Sequence, residues 1–230
     1  MHSCTAAESQ SQLFITQIAG KTFLIVLLKF FGQSINQKHI DQITSVLSDD
    51  GIIIIPTDTV YAIAGNIYSN KAIERICTIK NIKPGKAHFS FLCSDLSNIS
   101  EFTKPFSTEI FRMMKNALPG PFTFILNANS NVPAIFKSNK KTIGIRVPDN
   151  SIALAIINAA GNPLVVTSVH SYDDTGEYLT DPEEINEHYG TLVDLIIDGG
   201  PSSFEPSTVI DCTGSEPVLI RQGIHRDRRK

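Results

Sequence analysis

Residues 51–61 read GIIIIPTDTVY, and the four consecutive isoleucines limit the fold more sharply than any other stretch. An unbroken β-branched run suits a strand buried on both faces rather than one with a solvated side. Gly51 and Pro56 bracket the run, and both residue types interrupt regular pairing. The chemistry then inverts, because Thr57, Asp58, Thr59 and Tyr61 follow at once. In open α/β sheets, ligands gather beyond the carboxyl ends of the strands. The competing reading is local, with Asp58 or Thr59 closing a turn.

The rest of the chain supplies partners for such a strand. Helical spacing covers 37–48, 70–80, 108–118 and 151–160, with Asn70 and Asn150 as candidate caps. The segment 151–160, SIALAIINAA, is apolar nearly all round and reads as a buried helix ended by Gly161. DPEEINEHYG at 181–190 has Asp181 as cap, Pro182 in the first turn and Glu184 to complete a capping box. Strands are expected at 52–55, 90–93, 123–127, 142–147, 164–168, 194–197, 208–211 and 217–221. Strands and helices alternate before three short strands close the chain, a pattern of α/β class with a mixed sheet.

The 230 residues carry a net charge of −3, so no global positive field draws nucleic acid, and any such contact needs a local patch. Cys4, Cys77, Cys93 and Cys212 form no CxxC pair and suit no zinc site. They read as buried thiols in a reducing cytoplasm, the expected location. TFLIVLL at 22–28 is too short for a membrane span, and no cleavage site follows it.

Neither a dinucleotide fingerprint, a P-loop, HExxH nor GxSxG occurs. The remaining polar features suit anions. Lys80, Lys83 and Lys86 gather around a Pro-Gly turn in TIKNIKPGK, where they grip a polyphosphate or merely answer a helix dipole. Arg146 sits inside the apolar strand TIGIRVP and must snorkel outward or find a carboxylate or phosphate. Thr167 and Ser168 end one strand, Ser207 and Thr208 open another, and Arg221 follows three apolar residues. Several strands meeting at one polar cavity would account for all of them.

PTDTVYAIAG, IKNIKPGK, LPGPFTFIL, TIGIRVP, NPLVVTS, STVID and IRQG occur in the order seen in the YrdC/YciO family, which the chain resembles over residues 27–225. FSFLCSDLS, RMMKNALPG and KKTIGIRVP are most similar to the YciO branch. The resemblance implies a single-domain YrdC/RibB-like α/β fold, a twisted open mixed sheet around a large, positively charged concave cavity. Residues 1–26 would then be a loosely attached or poorly ordered extension, and 226–230 a basic tail. It implies an L-threonylcarbamoyladenylate synthase reaction: ATP, L-threonine and bicarbonate give threonylcarbamoyl-AMP and pyrophosphate for the N6-threonylcarbamoyl modification of tRNA adenosine 37.

By the same resemblance, Thr57, Tyr61, Arg146 and Thr208 would hold threonine. Lys80, Lys83, Thr123, Ser168, His170, Ser207 and Arg221 would hold the nucleotide, with Lys80, Ser168 and Arg146 catalytic. Magnesium would arrive with ATP, and no protein-ligated metal is expected. Three positions depart from the synthase pattern. Lys80 is followed by Asn81 and Ile82 where Lys-x-Arg is usual, His170 replaces the asparagine of Ser-x-Asn, and Cys93 stands where synthases tend to carry histidine. The alternative implied is a YciO-type protein that binds a nucleotide, double-stranded RNA or tRNA, with weak or lost synthase activity.

Overall fold

The computed structural model describes residues 11–18, 21–29, 35–83, 89–136, 141–171 and 176–224. Its strands are β1 (Ser11–Ile18), β2 (Lys21–Lys29), β3 (Ile52–Ile55), β4 (Ala62–Asn66), β5 (Ser90–Leu92) and β6 (Phe122–Asn127), then β7 (Thr142–Arg146), β8 (Leu164–Ser168), β9 (Leu195–Asp198), β10 (Thr208–Asp211) and β11 (Val218–Arg221). They form one sheet in the order β1-β2-β9-β3-β4-β8-β5-β7-β6-β10-β11. Parallel and antiparallel neighbours alternate irregularly, so the sheet is mixed, as expected. The helices are α1 (Gln37–Ser48), α2 (Asn70–Ile79), α3 (Leu96–Phe102), α4 (Thr108–Ala117), α5 (Ser151–Ala160) and α6 (Pro182–Tyr189).

The isoleucine run explains the layering. Ile52 and Ile54 join a core with residues of α2, α3, α4 and α6. Ile53 and Ile55 join a second core with residues of α1 and α5. Successive strand side chains point to opposite faces, so a strand covered on both sides has no place for a polar residue. All four isoleucines are 0% exposed.

Short polar side chains start the helices by accepting from free backbone N–H groups. Asn36, Ser107, Asn150 and Asp181 do so for α1, α4, α5 and α6. Ser69, not Asn70, caps α2, because the helix begins at Asn70 itself. Gly161 ends α5 at φ 69°, a left-handed conformation that favours glycine.

Four elements exceed the sequence expectation. β4 pairs antiparallel with β3, and α3 follows an Asp95 cap. At the amino end, β1 and β2 form an antiparallel hairpin, and β2 pairs with β9 from Leu27 to Lys29. Residues 1–10 and 19–20 of the expected extension, and the tail 226–230, lie outside the described residues.

Candidate functional site

The segment Pro56–Tyr61 is the loop that carries β3 into β4, with Ile55 opposite Ala62. It lies at the carboxyl end of the buried strand, and it is tied down from within. Thr57 Oγ1 donates to the Val60 carbonyl at 2.7 Å and accepts from Thr59 N–H at 3.1 Å. Tyr61 donates its hydroxyl to the Gly200 carbonyl at 2.7 Å and accepts from Gly199 N–H at 3.0 Å. Burial raises the Tyr61 pKa, and the Gly199 N–H opposes that shift. The hydroxyls expected to meet threonine at Thr57 and Tyr61 are thus engaged inside the chain, where they shape the loop.

Arg146 ends β7 and is 7% exposed. A guanidinium at that depth requires a counter-charge and hydrogen-bond acceptors. Nη2 meets Asp58 Oδ1 at 2.5 Å, and Nη1 donates to Thr59 Oγ1 at 2.8 Å. The pair is end-on, leaving Asp58 Oδ2 and Arg146 Nε buried without a partner. Burial lowers the Arg146 pKa, Asp58 opposes that shift, and the charge of Arg221 adds to it. The expected fork toward a ligand carboxylate is therefore already turned to a carboxylate of the chain. Cys93 N–H donates to the Arg146 carbonyl at 2.9 Å. Burial pushes the Cys93 thiol up to about 12, so it stays protonated and inert at neutral pH.

A second corner forms where α2 ends. Lys80 Nζ donates to the Ser168 carbonyl at 3.2 Å and lies 2.9 Å from His170 Nδ1. Burial lowers the Lys80 pKa. Burial also lowers the His170 pKa, with Lys80 and Arg221 adding to the shift and the Ser168 carbonyl opposing it. Nδ1 also lies 3.1 Å from the Ser168 carbonyl, so the ring accepts from Lys80 in one tautomer and donates to that carbonyl in the other. The imidazole packs against Tyr178 at 4.5 Å between ring centroids, and the His170 carbonyl accepts from the Tyr189 hydroxyl at 2.7 Å.

The third corner joins β6, β10 and β11. Thr123 Oγ1 and Ser207 Oγ lie 2.8 Å apart. Arg221 donates Nε and Nη2 to the Ser207 carbonyl at 3.1 and 2.9 Å. Thr208 Oγ1 accepts from Gly223 N–H at 3.0 Å. No carboxylate pairs with Lys80 or Arg221 among the described residues.

The charge of Arg221 is felt at both Arg146 and His170, which makes the three corners neighbours. Of Lys80, Arg146 and Arg221, Arg146 alone pairs with a carboxylate among the described residues, so positive charge exceeds negative in these corners. Such an arrangement suits an anion with several oxygens. Lys83 is exposed beyond α2, and Lys86 lies outside the described residues. Ile82 is 38% exposed. Two surface hollows, of about 380 and 340 Å³, lie elsewhere, beside Lys104 and Phe106 and beside Arg75 and Asp194. Excess charge, not hollow volume, marks the site.

The sequence places Asp58 in the polar turn beyond the buried strand without giving it a ligand role, and Tyr178 is not among its candidates. Asp58 carried a signal, being the one carboxylate in a polar turn after a buried strand. Among the described residues, no three His, Cys, Asp or Glu side chains gather to hold a metal. No described helix is long and apolar enough to cross a membrane.

Comparison with known proteins agrees with this architecture. YciO of Escherichia coli K12 is 41% identical over 192 residues, covering 82% of this chain and 90% of YciO. The threonylcarbamoyl-AMP synthase of Bacillus subtilis is 28% identical over 193 residues, covering 83% of this chain and 55% of the synthase. The crystal structure of E. coli YciO superposes with a TM-score of 0.79 at 38% identity, covering 87% of this chain and 96% of that one. Pyrococcus abyssi Sua5 complexed with L-threonine superposes with a TM-score of 0.75 at 26% identity, covering 83% of this chain and 55% of Sua5. The Sua5/YciO/YrdC family model, described as telomere recombination, matches residues 45–223. The chain belongs to the Sua5/YciO/YrdC family.

Proposed function

We propose that the site binds ATP and L-threonine and performs the threonylcarbamoyl-AMP synthase reaction. The observation that carries this reading is a set of three cations held at strand and helix ends beside hydroxyl groups: Arg221 on Ser207, which meets Thr123, Lys80 on the Ser168 carbonyl, and Arg146 on Thr59 and its paired carboxylate Asp58. The relatives named as synthases and the Sua5 structure complexed with L-threonine support it.

In this reaction the threonine amine adds to bicarbonate, water leaves, and a carbamate forms. A carbamate oxygen then attacks the α-phosphorus of ATP, and the bond to pyrophosphate breaks. Lys80 and Arg221 would offset charge on the phosphates as it shifts toward the leaving group. Ser168, Thr123 and Ser207 would orient phosphate oxygens, and the His170 ring would add one polar contact. Arg146, held by Asp58, would help position the carbamate. Magnesium would ride on the phosphates, since Asp58 is paired and no metal-ligating cluster is present among the described residues.

The alternative is a protein that binds a nucleotide, double-stranded RNA or tRNA with little or no turnover. Ile82 and His170 favour it, since the first brings no charge and the second engages Lys80. RNA binding of this kind would fall steeply with salt. The deciding experiment is pyrophosphate release from ATP, with and without L-threonine and bicarbonate. Release that requires both, and that is lost in Lys80→Ala and Arg146→Ala, is the expected result. ATP binding without release would favour the alternative.

A further inference from the structure

A strap of backbone runs from Gly199 to Ser207 and connects two corners of the site. At its start, Gly199 and Gly200 are clamped by the Tyr61 hydroxyl. Ser202 N–H donates to the Thr180 carbonyl at 3.0 Å, and Ser203 N–H to the Thr59 carbonyl at 3.1 Å. Thr59 is the residue whose hydroxyl accepts from Arg146. Glu205 N–H donates to Ser203 Oγ at 3.0 Å, and the Pro206 carbonyl accepts from Ile224 N–H at 3.0 Å. The strap ends at Ser207, in contact with Thr123 and Arg221.

Within this strap sits Phe204, with 73% of its surface exposed. A single exposed apolar residue ordinarily needs no explanation. Phe204 differs in its setting. The backbone on both sides of it is hydrogen-bonded to site segments, so its aromatic group is carried by an anchored support between the Arg146 and Arg221 corners. No other ring packs against it among the described residues.

We propose that Phe204 is the stacking platform for the nucleobase of the bound nucleotide, an inference that rests on the nucleotide reading above. The cations and hydroxyls recognise phosphate, which is common to all nucleotides and to inorganic polyphosphates. They supply no contact that prefers a base. An aromatic face beside an anion site adds that contact, because every base offers a π-face. An anchored support lowers the ordering cost of stacking.

The test compares binding of magnesium-ATP and of magnesium-tripolyphosphate by calorimetry. Wild type is expected to bind ATP more tightly. Phe204→Ala is expected to weaken ATP by about tenfold, the size of one lost base stack, and to leave tripolyphosphate within about twofold. Phe204→Trp restores ATP affinity. Substitution at so exposed a position leaves the fold intact, which circular dichroism checks. Equal ATP affinity in wild type and Phe204→Ala overturns the platform, as does equal weakening of both ligands. Loss of the ATP preference in Tyr178→Ala, but not in Phe204→Ala, moves stacking to the His170–Tyr178 pair and also overturns it. A wild type that binds neither ligand overturns the nucleotide reading itself, and the platform with it.

Discussion

Arg146 and Arg221 end two strands of the candidate site, yet Arg146 has a carboxylate partner and Arg221, among the described residues, has only the oxygens of Ser207. Arg146 is buried, and Asp58 neutralises it. Arg221 and Lys80 are held by carbonyls, a hydroxyl and an imidazole, none of which cancels a full charge. The Arg146 corner is built to persist without a ligand. The Lys80 and Arg221 corners keep charge that an anion would satisfy. Architecture and recognition are thereby divided between neighbouring cations.

The sharpest way to break this contrast is Asp58→Ala. It strands a buried guanidinium, and a loss of about 3–5 kcal/mol of stability is expected, measured by urea unfolding. Arg221→Ala should change stability by less than about 1 kcal/mol. Equal costs for the two variants would erase the distinction.

The next effect concerns the anion. Pyrophosphate at a hundred times its Kd should stabilise the wild type by about 2.7 kcal/mol. Lys80→Ala or Arg221→Ala should lower pyrophosphate affinity at least tenfold, since a hydrogen bond to a charged group contributes about 1.5–3 kcal/mol. Titration calorimetry with each variant reads this directly. Unchanged affinity in both would place the anion elsewhere.

The smallest effect is a pH dependence at the Lys80 corner. The groups facing His170 are Lys80, Arg221, the Ser168 carbonyl and the Tyr178 ring. Its folded pKa lies below the ordinary value of about 6.5, so on acidification the unfolded chain takes the proton first. Stability from this group is full above about pH 6.5 and declines as pH falls through the lowered value. His170→Asn should remove that decline, seen as a flatter urea midpoint against pH. An unaltered slope would show that other groups titrate there.

Much of this was legible before any coordinates, where chemistry is local. The isoleucine run, the all-round apolar α5 and the Asp181-Pro182 start announce themselves within a few residues. β4 escaped because AIAGN is small and lacks the β-branched pattern of its neighbours. α3 escaped because LSNISEF is short and rich in weak helix formers. In the site, the embedded arginine signalled that it needed a partner, but not which one. The sequence reading weighed an outward guanidinium against a ligand or carboxylate, and Asp58 lies 88 residues away along the chain. The hydroxyls of Thr57 and Tyr61 looked available because their acceptors are backbone atoms, which carry no residue signature.

The strap and the last two strands also have a consequence in time. Asp58 leaves the ribosome well before Ser207 and Arg221. At about 5–20 residues per second, roughly 8–33 s separate Asp58 from Arg221. A nascent chain can complete the burial of its isoleucines once β9 is made, before β10 and β11 let it close around an anion. A ligand would therefore guard the finished molecule against unravelling from β10 and β11, and would do nothing to guide the earlier folding steps.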